Sequence, residues 1–343
     1  MSDVRAPCST LDDLAGAVAY IERVQRESGL IPWEVDGPAD PWDHVESAMA
    51  LSAAGRREAA EAAYRWLADA QLDDGSWWAM YDATGAVSES QKETHRAAYA
   101  AVGVDHHYRV TGDESFVRDL WPTVEAAVEF ALSHQAPTGE VYWAAHPDGS
   151  PHRDALVSSC SSIYKSLAAA VRLARVLDLD RERWLDARAR VGEAVRSRPG
   201  RFDRTWEDKS RYSMHWFYPV LCGVVRGRTA RDRLNARSDQ FLVDGLGCRC
   251  VADEPWVTVA ETAELVLALA AVGRRERAAE IFAWLDRWVD EDTGTYWTGY
   301  QFEDGEIWPE QRPTWTAGAA VLAADALGRL SPAHDYFTGP APE

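Results

Sequence analysis

Two kinds of helical segment alternate six times along the chain, and this alternation limits the fold more than any other feature. One kind carries a charged stripe, over residues 11–27, 56–71, 113–135, 181–197, 229–242 and 274–291. The other is dominated by Ala, Val, Leu and Gly, over residues 46–55, 96–104, 161–174, 213–225, 257–273 and 316–328. A helix that is apolar nearly all round must be buried, whereas a charged stripe faces solvent. The apolar helices start near residues 41, 92, 157, 210, 255 and 312, a mean step of about 54 residues, as internal repeats require. Strand-like alternation is nearly absent, so the class is all-α. Six hairpins of one outer and one inner helix predict an (α/α)6 toroid; an ordinary bundle or an open solenoid is the competing architecture. The expectation is one such domain over residues 1–343, with a short irregular tail from about residue 331.

Charge narrows the partners. With 36 Lys and Arg against 55 Asp and Glu, the net charge is −19, and such a surface repels phosphate backbones and anionic lipid. No nucleic acid or membrane partner is expected; a neutral or cationic small molecule is. The longest apolar run, Leu265 to Val272, is too short to span a bilayer. The start of the chain is acidic and lacks the basic and apolar regions of a secretory signal. The five cysteines (Cys8, Cys160, Cys222, Cys248, Cys250) are odd in number and scattered, and Cys248 and Cys250 are closer than usual zinc spacing. A reduced, cytoplasmic protein with no metal and no cofactor is expected, its oligomeric state left open.

A short repeat follows the outer helices. Gln25-x3-Gly29, Gln71-x3-Gly75 and Gln135-x3-Gly139 share one spacing, Asp290-x3-Gly294 repeats it with Asp, and Trp33, Trp77, Trp143 and Trp297 follow. Gly is a natural helix stop because it accepts the left-handed C-terminal cap, and the Trp would cover the helix end. The copy Gln71-Leu-Asp-Asp-Gly-Ser-Trp77 resembles the repeat of squalene cyclases, and the chain is similar to bacterial prenyltransferase and squalene-cyclase-like toroids. That resemblance implies the fold. The chain departs from the family in its chemistry: the Asp-x-Asp-Asp tetrad of class II cyclases is absent, as is the zinc set of protein prenyltransferases. Asp12-Asp13 and Asp73-Asp74 lack the third carboxylate of a diphosphate site. A second resemblance is to six-hairpin glycosidases, through Tyr108 to Pro122 and through Trp308-Pro-Glu-Gln-Arg-Pro-Thr-Trp-Thr-Ala317. It implies a catalytic base at Glu310, although Arg312-Pro313 departs from the pattern.

In a toroid of hairpins the inner helices run parallel, so their N-termini collect at one mouth, with donor NH groups and positive dipole ends. Ten of the sixteen tryptophans fall in connections or inner-helix starts, where aromatic faces stack on sugar-like rings while polar groups read hydroxyls; sealing the hairpin ends is the plainer role for any one of them. Asp43, Glu93, Glu261 and Glu310 are the acid/base candidates. His44, His95, Glu46, Arg211 and Tyr212 are candidates for orienting substrate, with Trp42, Trp256 and Trp315 as stacking walls. For the carboxylates, helix capping or an ion pair is the alternative, and for each His a satisfied core position. The Ser158 to Ser162 run has no accompanying base. The favoured function is an enzyme acting on a hydroxyl-rich, carbohydrate-like small molecule by carboxylate acid/base chemistry. An isoprenoid cyclase or prenyltransferase-like enzyme, requiring a deep apolar cavity, and a non-catalytic binding scaffold are the alternatives.

Overall fold

A computed structural model describes residues 14–339; Cys8, Asp12-Asp13 and the first residues of the helix expected from Leu11 lie outside them. Among the described residues there are twelve α-helices. The outer set comprises α1 (Ala15–Val24), α3 (Arg57–Ala70), α5 (Glu114–Ser133), α7 (Glu182–Ser197), α9 (Gly227–Phe241) and α11 (Arg275–Ala283). The inner set comprises α2 (Pro41–Ala53), α4 (Thr94–Thr111), α6 (Val157–Val176), α8 (Ser213–Leu221), α10 (Val259–Ala271) and α12 (Thr314–Gly328). Each inner helix packs on the next, and α12 closes on α2, so the array is the expected (α/α)6 toroid and neither a bundle nor an open solenoid. The composition of the inner helices explains their place: α10 is buried without interruption from Val259 to Ala270. No helix of the described residues is long and apolar enough to cross a membrane.

Two departures from the expected pattern shape the mouth. The outer helix expected over residues 274–291 stops at Ala283 and continues as a 3-10 stretch, Trp284–Trp288. Short strands are also present, although alternation suggested almost none. β1 (Met80–Tyr81) pairs with β2 (Val87–Glu89), and β3 (Lys92–Glu93) with β4 (Ala144–Ala145). A five-stranded antiparallel sheet follows in the order β5 (Leu242–Val243), β6 (Gly247–Arg249), β7 (Trp256–Thr258), β8 (Gly299–Gln301) and β9 (Glu306–Ile307). Strands of two or three residues are too short to show a period of two. Since β7 leads directly into α10, the sheet stands at the N-terminal mouth of the ring.

The Gln-x3-Gly repeat works differently from a glycine cap. α1 and α3 end just before their glutamines, Gln25 and Gln71, which occupy the cap positions, and α5 ends at Ser133 with His134 as its cap, one residue before Gln135. Each Gln amide donates to its own Gly carbonyl at 3.0 Å. The same nitrogen donates to the next outer helix, at Ala59 (2.9 Å), Thr123 (2.9 Å) and Ala187 (3.0 Å). The repeat thus stitches neighbouring outer helices together. Gly75 sits at φ 87°, and a Cβ there would lie 2.2 Å from the Ala126 carbonyl oxygen, so strain and collision both demand glycine. Trp77 covers the helix end as expected, its indole donating to Leu67 O at 2.9 Å. Trp33 and Trp143 instead turn to the mouth.

Gly75→Ala is therefore expected to destabilise the protein by about 3 kcal/mol or more. Gly55→Ala, at φ 72° with no atom within 4 Å of the new Cβ, should cost only about 1 kcal/mol. Urea unfolding of the two variants measures the difference, and equal losses would contradict the stitching role.

Candidate active site

Asp40 organises the mouth because it caps α2. Its Oδ1 accepts from the backbone nitrogens of Trp42 (2.8 Å) and Asp43 (3.1 Å), and its Oδ2 from the Trp33 indole (3.0 Å). Arg96, in the first turn of α4, lies 3.7 Å away and pairs with Glu93 at 2.9 Å. Burial would raise the Asp40 pKa, but the Arg96 charge and hydrogen bonds from Asp43 and Trp33 outweigh it and hold the carboxyl below the usual carboxylate range. Asp43 is driven the other way. Burial, the adjacent Asp40 charge and the hydrogen bond to Asp40 push its pKa well above the ordinary value. The two neighbouring carboxyls are thus pushed in opposite directions, Asp40 toward its ionised form and Asp43 toward its protonated one.

Around this pair is a cavity of about 290 Å³, with Asp40, Asp43, Glu93, His95 and Arg96 on its charged side. Trp42, Trp143, Tyr218 and Trp315 supply aromatic walls, and Ser158, Ser159 and Glu264 also reach it. Trp42 stacks flat on Tyr99, with ring centroids 3.7 Å apart, and its indole donates to Glu46 at 3.1 Å, so its plane is fixed from below. Burial and the Arg96 charge push the His95 pKa down to about 3, which keeps the ring neutral. Burial raises Glu93 against the opposing Arg96 charge. On α10, Glu261 occupies the first turn and accepts a hydrogen bond from the Thr258 hydroxyl. One turn deeper, Glu264 accepts from the Tyr218 hydroxyl. Burial, then the Glu46 charge, raises Glu264 well above its ordinary value, and Glu261 adds to that.

The structure therefore gathers Trp42, Asp43, Glu93, His95 and Trp315 around one cavity and places Glu46 beneath Trp42. Other expected residues lie elsewhere. His44 points away from the cavity: its Nδ1 accepts from Ile31 N at 3.0 Å and its Nε2 lies 2.9 Å from Ala63 O. Burial pushes its pKa down to about 4, so it is a satisfied core histidine. Arg211 is bound on the rim to Asp253, at 2.9 Å, and Tyr212 bridges to Val251 with Lys209 over its ring. A 3-10 turn, Lys209–Arg211, delays α8 until Ser213 and ties this segment to the sheet rather than to the cavity. Trp256 lies in β7 and lines a separate groove. Glu310 is exposed in the loop before α12, and neither it nor the buried Glu261 lines the cavity.

Asp40, Arg96, Trp143, Tyr218 and Glu264 also line the cavity, beyond the candidate residues above. Asp40 had the sequence signature of a cap, which is true but incomplete. A hydroxyl and a carboxyl inside otherwise apolar helices were the available signals for Tyr218 and Glu264. The charged side of the cavity is unlike the deep apolar chamber that an isoprenoid cyclase requires. Among the described residues no group of three His, Cys, Asp or Glu side chains is placed to hold a metal ion, and Cys160, Cys222, Cys248 and Cys250 are free thiols.

Glu46 gives the electrostatics a direct check. It is 3% exposed. Burial raises its pKa to about 8 from 4.5; the Trp42 hydrogen bond opposes this, and the Asp40 and Glu261 charges add to it. A carboxyl whose pKa is higher in the folded state supports the fold below its unfolded pKa, and this support is lost as pH climbs through about 8. Glu46→Gln keeps an oxygen for Trp42 without the charge. It should exceed wild type in stability by roughly 2 kcal/mol at pH 8 and match it below about pH 4.5. Urea midpoints that differ equally at both pH values would contradict this.

Comparison with known proteins supplies the lineage. No family model matches the chain. The MMP endo-(1,4)-3-O-methyl-alpha-D-mannosidase of Mycolicibacterium hassiacum is 46% identical over 319 residues, covering 93% of this chain and 87% of its own length. Among solved structures, a glycosidase variant in complex with glucose superposes with a TM-score of 0.72 at 17% identity, covering 93% of this chain and 97% of its own. A sugar epimerase from a ruminal bacterium does so with a TM-score of 0.71 at 12% identity, covering 93% and 98%. Those two likenesses establish the fold. The resemblance to squalene cyclases and prenyltransferases finds no support in these relatives. On the strength of the 46% relative, whose match runs through nearly the whole toroid, the chain belongs to the family of this endo-mannosidase and is a glycosidase-like enzyme working on carbohydrate.

Proposed function

We propose that the protein hydrolyses internal α-(1→4) linkages in a neutral polysaccharide of O-methylated mannose, with Asp43 as general acid and Glu261 as general base. The observation that carries the assignment is Asp43 in the cavity wall beside the capping carboxylate of Asp40, whose charge and hydrogen bond, with burial, raise the Asp43 pKa. A glycosidic oxygen leaves only if it is protonated, so the acid must retain its proton near neutral pH until the bond breaks. Asp43 is built for that. As the C–O bond breaks, the proton passes from the Asp43 carboxyl to the departing oxygen, and water adds to the anomeric carbon while its proton passes to Glu261.

The choice of Glu261 follows by comparison with its neighbours. Glu93 is engaged by Arg96 at 2.9 Å, and Glu46 and Glu264 lie deeper, each raised by burial. Glu261 is buried and outside the lining of the cavity around Asp43, but it stands in the first turn of α10, at the same end of the ring as Asp43 and one turn from Glu264, which lines that cavity. There Thr258 orients it and the helix N-terminus favours negative charge. Trp42, Trp143 and Trp315 offer faces for the sugar ring and its methyl ether, while neutral His95 and Arg96 read hydroxyls. The 46% identical relative, an endo-(1,4)-3-O-methyl-alpha-D-mannosidase, supports the substrate class.

Asp43→Asn and Glu261→Gln should each lower kcat on α-(1→4)-linked 3-O-methylmannose oligosaccharides by about 10²- to 10⁴-fold, with KM and circular dichroism little changed. Wild-type turnover by either folded variant would remove that residue from its role.

A further inference from the structure

We propose a second saccharide-binding site, a platform formed by Trp256 and Trp308 outside the active-site cavity, which holds a distant stretch of the polymer while one unit reacts. This rests on the endo-acting reading above. Trp308 is 55% exposed, one of three large apolar side chains that are exposed among the described residues. Its ring meets that of Trp256 edge to face, with centroids 5.0 Å apart at 81°. The two border an open groove of about 470 Å³, larger than the cavity of about 290 Å³ around Asp43.

The platform is rigid. The Trp256 indole donates to the Trp308 carbonyl at 2.7 Å. Gly299 backs the Trp256 ring so closely that a Cβ there would lie 2.7 Å from the indole nitrogen. The facing turn is fixed by Gln301, whose oxygen accepts from the backbone nitrogens of Glu303 (2.7 Å) and Asp304 (3.0 Å). An exposed indole and a half-buried one held in place offer flat apolar faces at little entropic cost on binding.

Chemistry and position select the occupant. Glu254, Asp304 and Glu306 line the groove and accept hydrogen bonds from hydroxyls, while their charge and the net charge of −19 repel polyanions. A neutral glycan matches both properties. The groove is tied to the mouth along the chain: β7 carries Trp256 and Thr258, whose hydroxyl donates to Glu261. Trp308 stands seven residues before Trp315, which lines the cavity. A polymer leaving the mouth on the side of β7 would therefore meet this sheet.

The test uses wild type and Trp308→Ala with α-(1→4)-linked 3-O-methylmannose oligosaccharides of increasing length, measuring turnover and, separately, equilibrium binding by calorimetry. In wild type, KM and Kd should fall once the chain is long enough to reach the groove. Trp308→Ala should erase that gain, raising both by about tenfold on long chains and leaving kcat and the short chains unchanged. Normal turnover with no effect of Trp308→Ala on long chains would overturn the platform and leave the hydrolase reading intact. Length-dependent binding that needs Trp308, without turnover, would retain the platform and reject that reading; absence of both would reject both. A wild-type dimer that Trp308→Ala dissociates, with length dependence untouched, would make the patch an interface between copies and overturn the proposal.

Discussion

The Asp40 carboxylate is the interaction on which the rest of the site depends. It is a helix cap, an acceptor for Trp33, the counterion of Arg96 and a neighbour that raises the Asp43 pKa. These duties require one another. Without the backbone donors and Arg96, burial would protonate Asp40 and remove the charge that raises Asp43. Without Asp40, Arg96 would face Asp43 directly and favour its ionised form. Local secondary structure and acid/base chemistry are therefore the same set of hydrogen bonds seen from two sides.

A ring of six inner helices makes that arrangement affordable in stability. Twelve helices put the N-termini of α2, α4 and α10 at one mouth, and with them Asp40, Asp43, Arg96 and Glu261, from segments more than 200 residues apart in sequence. The outer ring is held by the glutamine stitches rather than by the inner helices alone. Loop geometry at the mouth can then serve function: the five-stranded sheet carries Thr258 to Glu261 and leaves Trp308 in solvent.

The repeat pattern made the fold legible because burial of an all-apolar helix leaves little freedom in where it goes. Inner-helix starts expected at 41 and 157 coincide with those observed, and the others fall two to four residues later. The sheet was hidden because two-residue strands carry no periodic signal. At the site, Trp42, Asp43, Glu93, His95 and Trp315 were visible because they cluster at helix starts. Residues flanking a start can face either way, and sequence does not say which: His44, next to Asp43, turns to the core. Arg211 and Tyr212 were misplaced because a 3-10 turn shifted the beginning of α8. Glu310 came from a short resemblance, and the loop around it keeps the carboxyl in solvent. Tyr218 and Glu264 were obscured because they occupy helices whose composition signals packing.

The central claim is that the Asp40 charge keeps the proton on Asp43. The pH dependence of kcat/KM in wild type and Asp40→Asn tests it most directly, with circular dichroism to confirm that both are folded. Removing the charge and the hydrogen bond that raise Asp43 should move the alkaline limb of the profile to lower pH. An active Asp40→Asn enzyme whose alkaline limb coincides with that of wild type would contradict the account.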